Sequence, residues 1–244
     1  MSGFAAGYER FARVLVLIVV TNAASVVHTL LGAVIGGFFP SVAATAAIFR
    51  AWFLEGGETW SVRRIWGTFH TTWKQELGSA NAFGWAQVAI GVFLVWDYYL
   101  VNWNDMGVVG IGISGFLLVV NVLFVVGALE SWVIRSHFDE GPRWIVRAAV
   151  RMALARPMCA LAHVVLILLA VWAWTSWPGL LVTFGLAAPI FVSVMLVFFQ
   201  GRLPGFGPQA AADAHEAVAR AAIERDRTSR EGSAWEPSPR ERTA

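Results

Sequence analysis

The stretch Gly32-Ala-Val-Ile-Gly-Gly-Phe-Phe-Pro-Ser-Val-Ala-Ala-Thr-Ala-Ala-Ile-Phe-Arg50 decides the reading of this chain. Apolar and small residues run around it from Phe11 almost to Leu54, and Gly36-Gly37-Phe38-Phe39-Pro40 interrupts the run. Proline near a helix start is tolerated because its missing N–H would be unsatisfied there anyway. Glycine suits the end of the preceding helix. The stretch therefore reads as two helices joined by a turn. A cleaved secretion signal fits poorly, because the apolar run continues well past the small residues at Asn22-Ala-Ala-Ser.

The rest of the chain sets the scale. Of 244 residues, 57% are hydrophobic and only 14% charged, against roughly 25% charged in soluble domains. The apolar residues come in blocks of about 20, the length that crosses a bilayer. The fold class is all-α, a polytopic helical membrane bundle. Five spans are expected at Phe11–Gly36, Asn81–Val101, Gly107–Trp132, Pro157–Trp174 and Leu180–Phe199. Pro40–Leu54 is a sixth, short or re-entrant, reaching only about 22 Å at 1.5 Å per residue. Pro189 predicts a kink in the last span after Gly185.

Lysine and arginine mark the cytoplasmic side. None occurs in Asp97–Met106, in Trp174–Gly179 or in the Gly36–Pro40 break. They gather at Arg10 and Arg13, at Arg50 to Lys74, at Arg135 to Arg156, and from Arg202 onward. Both termini are thus expected in the cytoplasm. Arg10 and Arg63 lie on one side, so the chain crosses an even number of times between them. Either Gly36–Pro40 is an outer turn between two spans, the favoured reading with six spans in all, or the pair is a hairpin entering from the cytoplasm. The 13 tryptophans are read as interfacial belts, with Trp96, Trp103, Trp172, Trp174 and Trp177 outside and Trp52, Trp60, Trp66, Trp73, Trp132 and Trp144 at the cytoplasmic boundary.

Two segments read as cytoplasmic interfacial helices. Ser61–Leu77 alternates Ile65, Trp66, Phe69 and Trp73 with Arg63, Arg64, His70 and Lys74. Arg143, Arg147 and Arg151 form an i, i+4, i+8 stripe. Basic amphipathic helices bind anionic lipid; the sharper reading is a docking surface for a partner, carried by Arg63, Arg64, Lys74, Arg143, Arg147 and Arg151. Nucleic acid is excluded as a partner, since the basic residues border the bilayer throughout. Residues 1–200 form the membrane domain. Residues 201–244 read as a linker, a short helix at Gln209–Arg227 and a disordered end.

Motifs of chemistry are few. Gly110-Ile-Gly-Ile-Ser-Gly115 matches a nucleotide-binding pattern but lies inside an apolar span with no strand before it. Gly110 and Ser114, like Gly32 and Gly36, instead read as small residues that let helices approach. Polar residues within spans are functional candidates: Asn22, His28, Asn121 and His163 could line a path, with Gln87 beside them. The plainer reading is hydrogen-bonded glue between helices. Asp97 and Glu130 lie at span ends, where Glu130 is expected to pair with Arg135. No catalytic set, cofactor motif or metal constellation is expected, and the single cysteine, Cys159, allows no internal disulfide.

The order of motifs resembles a known family. Asn22 is followed by Phe39-Pro40-Ser-Val-Ala-Ala-Thr-Ala-Ala-Ile-Phe-Arg50, then by Ser79-Ala-Asn81-Ala-Phe-Gly84-Trp, and later by Arg151-Met-Ala-Leu-Ala-Arg-Pro and Trp177-Pro-Gly. From roughly Tyr8 to Gln200 this is similar to the YesL-like family of bacterial integral membrane proteins, a domain of unknown function. The resemblance implies a multi-span helical protein, often encoded beside binding-protein-dependent (ABC) sugar importers. It marks Pro40, Arg50, Asn81 and Gly84 as family-motif residues. The expected role is a non-enzymatic accessory of carbohydrate uptake. The alternative is a small independent transporter.

Overall fold

The structure is a computed structural model. It describes residues 2–56, 60–104 and 106–201, with scattered positions up to 220. The expected linker, short helix and disordered end lie largely outside the described residues. Those described are helical throughout: α1 (Ser2–Leu31), α2 (Phe38–Leu54), α3 (Val62–Glu76), α4 (Ser79–Trp103), α5 (Gly107–His137), α6 (Pro142–Ala155), α7 (Pro157–Ser176), α8 (Pro178–Phe184) and α9 (Ala187–Leu196), closed by a π turn at Val197–Gly201.

Four stretches are long and apolar enough to cross a membrane: Gly7–Leu31, Ser79–Trp103, Gly107–His137 and Pro157–Ser176. Pro178–Phe184 and Ala187–Gln200 make a fifth if the pair, bent by 68°, counts as one span. The bend expected near Pro189 is present. It falls at Gly185, whose φ of +44° suits glycine. The chain is a helical membrane bundle.

Its core is built around α2. Phe39, Ala43, Ala44, Ile48, Phe49 and Trp52 are buried, enclosed by α1, α3, α5 and α9. Small residues along Ser41–Ala47 let neighbouring helices come close, while Phe49 and Phe53 meet Phe191 of α9 edge-on and face-on. The far ends of α4 and α5 emerge from this core: Val92, Phe93, Val95, Val108, Ile111 and Phe116 are all exposed. Such a surface suits lipid rather than water.

The two amphipathic helices exist, but their apolar faces are covered by protein. Ile65, Phe69 and Trp73 of α3 are buried in the core shared with α1 and α2. Ile145, Ala149, Met152 and Ala153 of α6 are buried where it lies along α5. Four of the six tryptophans read as a cytoplasmic belt are corrected for the same reason, while Trp66 and Trp144 are exposed. Trp52, Trp60, Trp73 and Trp132 are core residues, no more than 8% exposed. The indole N–H of Trp60 donates to Glu55 and that of Trp132 to Gln87. By contrast, Trp96, Trp103, Trp172 and Trp177 are exposed as an outer belt requires.

The break after α1 is a tight turn over residues 32–37. Ala33 and Val34 both take positive φ, 53° and 65°, which is unusual for a β-branched residue. A side chain on Gly32 or Gly37 would collide with the facing backbone of the turn or of α1. These glycines therefore serve the turn itself, and Gly32 and Gly36 do not form a helix-packing motif. Gly110 likewise abuts only Met106 of its own turn; Ser114 alone of that pair reaches α4, donating to Asn102 at 3.0 Å.

The surroundings of the turn bear on topology. Arg64 pairs with Glu55 at one end of the α2–α3 hairpin, and Trp73 donates to Gly37 at the other. So α3 returns the chain to the level of the turn, where Asn81 donates to the Gly36 carbonyl at 2.7 Å. The turn and the first residues of α4 therefore lie at one level. Single cysteines placed at Ile35, Leu77 and Trp103 in a Cys159→Ser background test this. With an impermeant maleimide on intact cells, Ile35 and Leu77 should behave alike, and Trp103, at the other end of α4, oppositely. Labelling at Ile35 without labelling at Leu77 would separate their levels and give the outer turn of the six-span reading.

Candidate functional site

The family-motif residues converge on the α1–α2 turn. Three successive carbonyls, of Ile35, Gly36 and Gly37, accept from Trp85 Nε1 (3.3 Å), Asn81 Nδ2 (2.7 Å) and Trp73 Nε1 (3.2 Å). Pro40 is buried in the first turn of α2. Gly84 faces the ring of Phe39 so closely that any Cβ there would collide with it. That ring in turn stacks on Trp132, centroids 5.8 Å apart and planes at 2°. At the other end of α2, Arg50 Nε donates to His137 Nδ1 of α5 at 2.9 Å. These positions build a frame. None of their polar groups converges on an enclosed space.

The residues expected to line a path do not assemble one. Asn22 is buried at the α8–α9 break, donating to the carbonyls of Val182 (3.0 Å) and Thr183 (3.1 Å). It fills the space that a side chain at Gly185 would need. Asn121 of α5 donates to Leu94 of α4 at 3.3 Å and to Leu117 at 2.9 Å. His28 Nδ1 lies 2.8 Å from the Ala24 carbonyl, and its Nε2 lies 3.0 Å from His70 Nδ1. The carbonyl can only accept, so Nδ1 of His28 carries the proton and His70 donates to Nε2. Trp66, Phe69 and Trp73 surround the His28 ring. Each of these groups joins a different helix pair, as interhelical glue does. An apolar cleft of about 660 Å³ between α4 and α5 is lined by Gln87, Val88, Gly91 and Phe124 and by none of the four.

His163 is different, and it brings a residue that the sequence reading misplaced. Glu130 does not pair with Arg135. Arg135 bonds Glu76 of α3 instead, because α5 continues to His137 and carries Arg135 beyond the core. Glu130 is completely buried, and its Oε1 lies 3.7 Å from His163 Nδ1. Cys159, one turn before His163 on α7, completes a group whose ligand atoms all lie within 4.8 Å of one another. An acidic residue in a long apolar helix was the available signal; its nearness to a basic residue five positions on pointed the wrong way.

The six basic candidates are exposed: Arg63, Arg64 and Lys74 on α3, and Arg143, Arg147 and Arg151 on α6. Arg64 is held by Glu55 and lies over the Trp60 ring at 4.0 Å. The α6 arginines point away from α5, flanked by exposed Val146, Val150 and Leu154.

Gly84→Ala should destabilise the protein by about 1–3 kcal/mol through overpacking against Phe39. It will lower the thermal unfolding midpoint in detergent. Gly115→Ala, with open space around it, should leave the midpoint unchanged or raise it, as alanine favours helix.

The comparisons with known proteins fall on this frame. A family model described as "Protein of unknown function, DUF624" matches residues 18–98, from the middle of α1 through most of α4. The uncharacterized protein YesV of Bacillus subtilis (strain 168) is 25% identical over 185 residues, covering 73% of this chain and 82% of that protein. No solved structure matches. The matched region contains the turn, its three donors and Gly84, so over these residues the chain is similar to the DUF624 family of unknown function.

Proposed function

We propose that this chain is a non-enzymatic accessory protein of a bacterial plasma membrane, with both termini cytoplasmic, that works beside a carbohydrate importer. The observation that carries this reading is the arginine stripe of α6. Arg143, Arg147 and Arg151 stand exposed on the side away from α5, and none forms an ion pair among the described residues. Three unpaired cations at helical spacing form a surface suited to an acidic partner. The importer association rests on the family resemblance. Independent transport is less well supported, because the polar residues that would line a path are dispersed over separate helix pairs.

Charge reversal tests the reading. The triple variant Arg143→Glu, Arg147→Glu, Arg151→Glu should insert in the membrane normally. Recovery of the importer's membrane subunits or ATPase with the affinity-purified protein should fall by roughly tenfold or more. Undiminished recovery would assign the stripe to anionic lipid headgroups. Wild-type protein that recovers no importer subunit would end the accessory reading.

A further inference from the structure

Glu130, Cys159 and His163 are 0%, 1% and 0% exposed. Cys159 and His163 share one face of α7 through their i, i+4 spacing, and Glu130 meets them from α5. His163 Nδ1 is 3.7 Å from Glu130 Oε1 and 3.8 Å from Cys159 Sγ. Apart from the Cys159 thiol, which interacts with the carboxyl group, neither oxygen of Glu130 has a hydrogen-bond partner, and neither does His163 Nε2. Burying a carboxyl group with only a thiol to satisfy it is costly. No arginine or lysine among the described residues neutralises it: Arg135 is engaged by Glu76, and Arg156 donates to the Gln200 carbonyl at 3.1 Å.

We propose that Glu130, Cys159 and His163 form a binding site for one divalent transition metal of the zinc type. Three features agree on this. A thiolate, an imidazole and a carboxylate are all zinc ligands, and the thiolate with the imidazole disfavours magnesium and calcium. Bonds of about 2.0–2.3 Å in a tetrahedral shell put neighbouring ligand atoms about 3.3–3.7 Å apart, within a few tenths of an ångström of the two separations from Nδ1. The charges also balance: a carboxylate and a thiolate cancel a divalent ion, which relieves the cost of burying either anion alone. Binding replaces the thiol proton by the metal and releases it, and requires an unprotonated Nδ1. That nitrogen now lies 3.0 Å from the Cys159 carbonyl, a contact it would give up to the metal. Three protein ligands leave one position of the shell for water or another small donor. The close pair of His28 and His70 has no third ligand among the described residues.

The test uses the full chain, purified in detergent without a histidine tag, stripped with chelator and equilibrated with zinc sulfate alone. Wild type should retain about one zinc per chain by elemental analysis. Glu130→Gln and Cys159→Ser should each reduce retained zinc by more than roughly tenfold while eluting as the same monodisperse species. Both replacements are nearly isosteric, so they keep the test meaningful should His163→Gln fail to fold. His70→Gln should retain wild-type zinc. With cobalt in place of zinc, wild type should show a sulfur-to-cobalt charge-transfer band that Cys159→Ser lacks. Wild type that retains no zinc overturns the proposal. So does undiminished zinc in Glu130→Gln or Cys159→Ser, which would place the metal elsewhere.

Discussion

Three side-chain N–H groups reaching three consecutive carbonyls organise this molecule. In an apolar surrounding, backbone groups without partners each cost several kcal/mol. The turn at residues 32–37 leaves helical geometry and would expose the carbonyls of Ile35 and Gly36, but Trp85 and Asn81 satisfy them, while Trp73 adds a donor at Gly37, whose carbonyl also accepts from Ser41. Meeting that demand fixes where α3 ends and where α4 begins. It also sets the position of Phe39, and through Phe39 the approach of Gly84 and the stack on Trp132.

From that anchor the burial pattern becomes intelligible. Protein contacts concentrate around α2, whose small residues admit neighbours on several sides. Beyond this region α4 and α5 carry exposed valine, isoleucine and phenylalanine, with few polar links between them. Asn121 to Leu94 and Ser114 to Asn102 are two of these. In lipid there is no hydrophobic force to drive such helices together, so interhelical hydrogen bonds and close fit hold them instead.

Much of this was legible in the sequence, for identifiable reasons. Apolar length and the placing of Gly36-Gly37, Pro157, Pro178 and Gly185 define helices and their ends through local chemistry alone. Asn22 and Asn121 were readable as glue, because a neutral amide in an apolar helix has few other uses. What failed depended on contacts distant in sequence. Trp73 at a helix boundary looks the same whether it faces headgroups or donates to a carbonyl 36 residues away. Arg135 was assigned to Glu130 because they are near in sequence, whereas its partner Glu76 lies 59 residues away on α3. Once Arg135 is elsewhere engaged, Glu130 is left to α7, and the cluster with Cys159 and His163 appears. No local pattern announces a site shared by two helices when one of them contributes a single residue.

The order of these residues along the chain has a consequence for biogenesis. The turn is complete at Gly37, yet the side chains that satisfy the carbonyls of Gly36 and Ile35 come much later, at positions 81 and 85. The ring that packs over Phe39 comes later still, at Trp132. Synthesis runs from the N-terminus, so α1 and α2 emerge with a strained turn, positive φ at Ala33 and Val34, and without the donors that meet the carbonyls of Ile35 and Gly36. The pair cannot settle alone in hydrocarbon. It must wait beside water, or in the insertion machinery, until the start of α4 arrives, and the first helices synthesised are thereby among the last to reach their final depth.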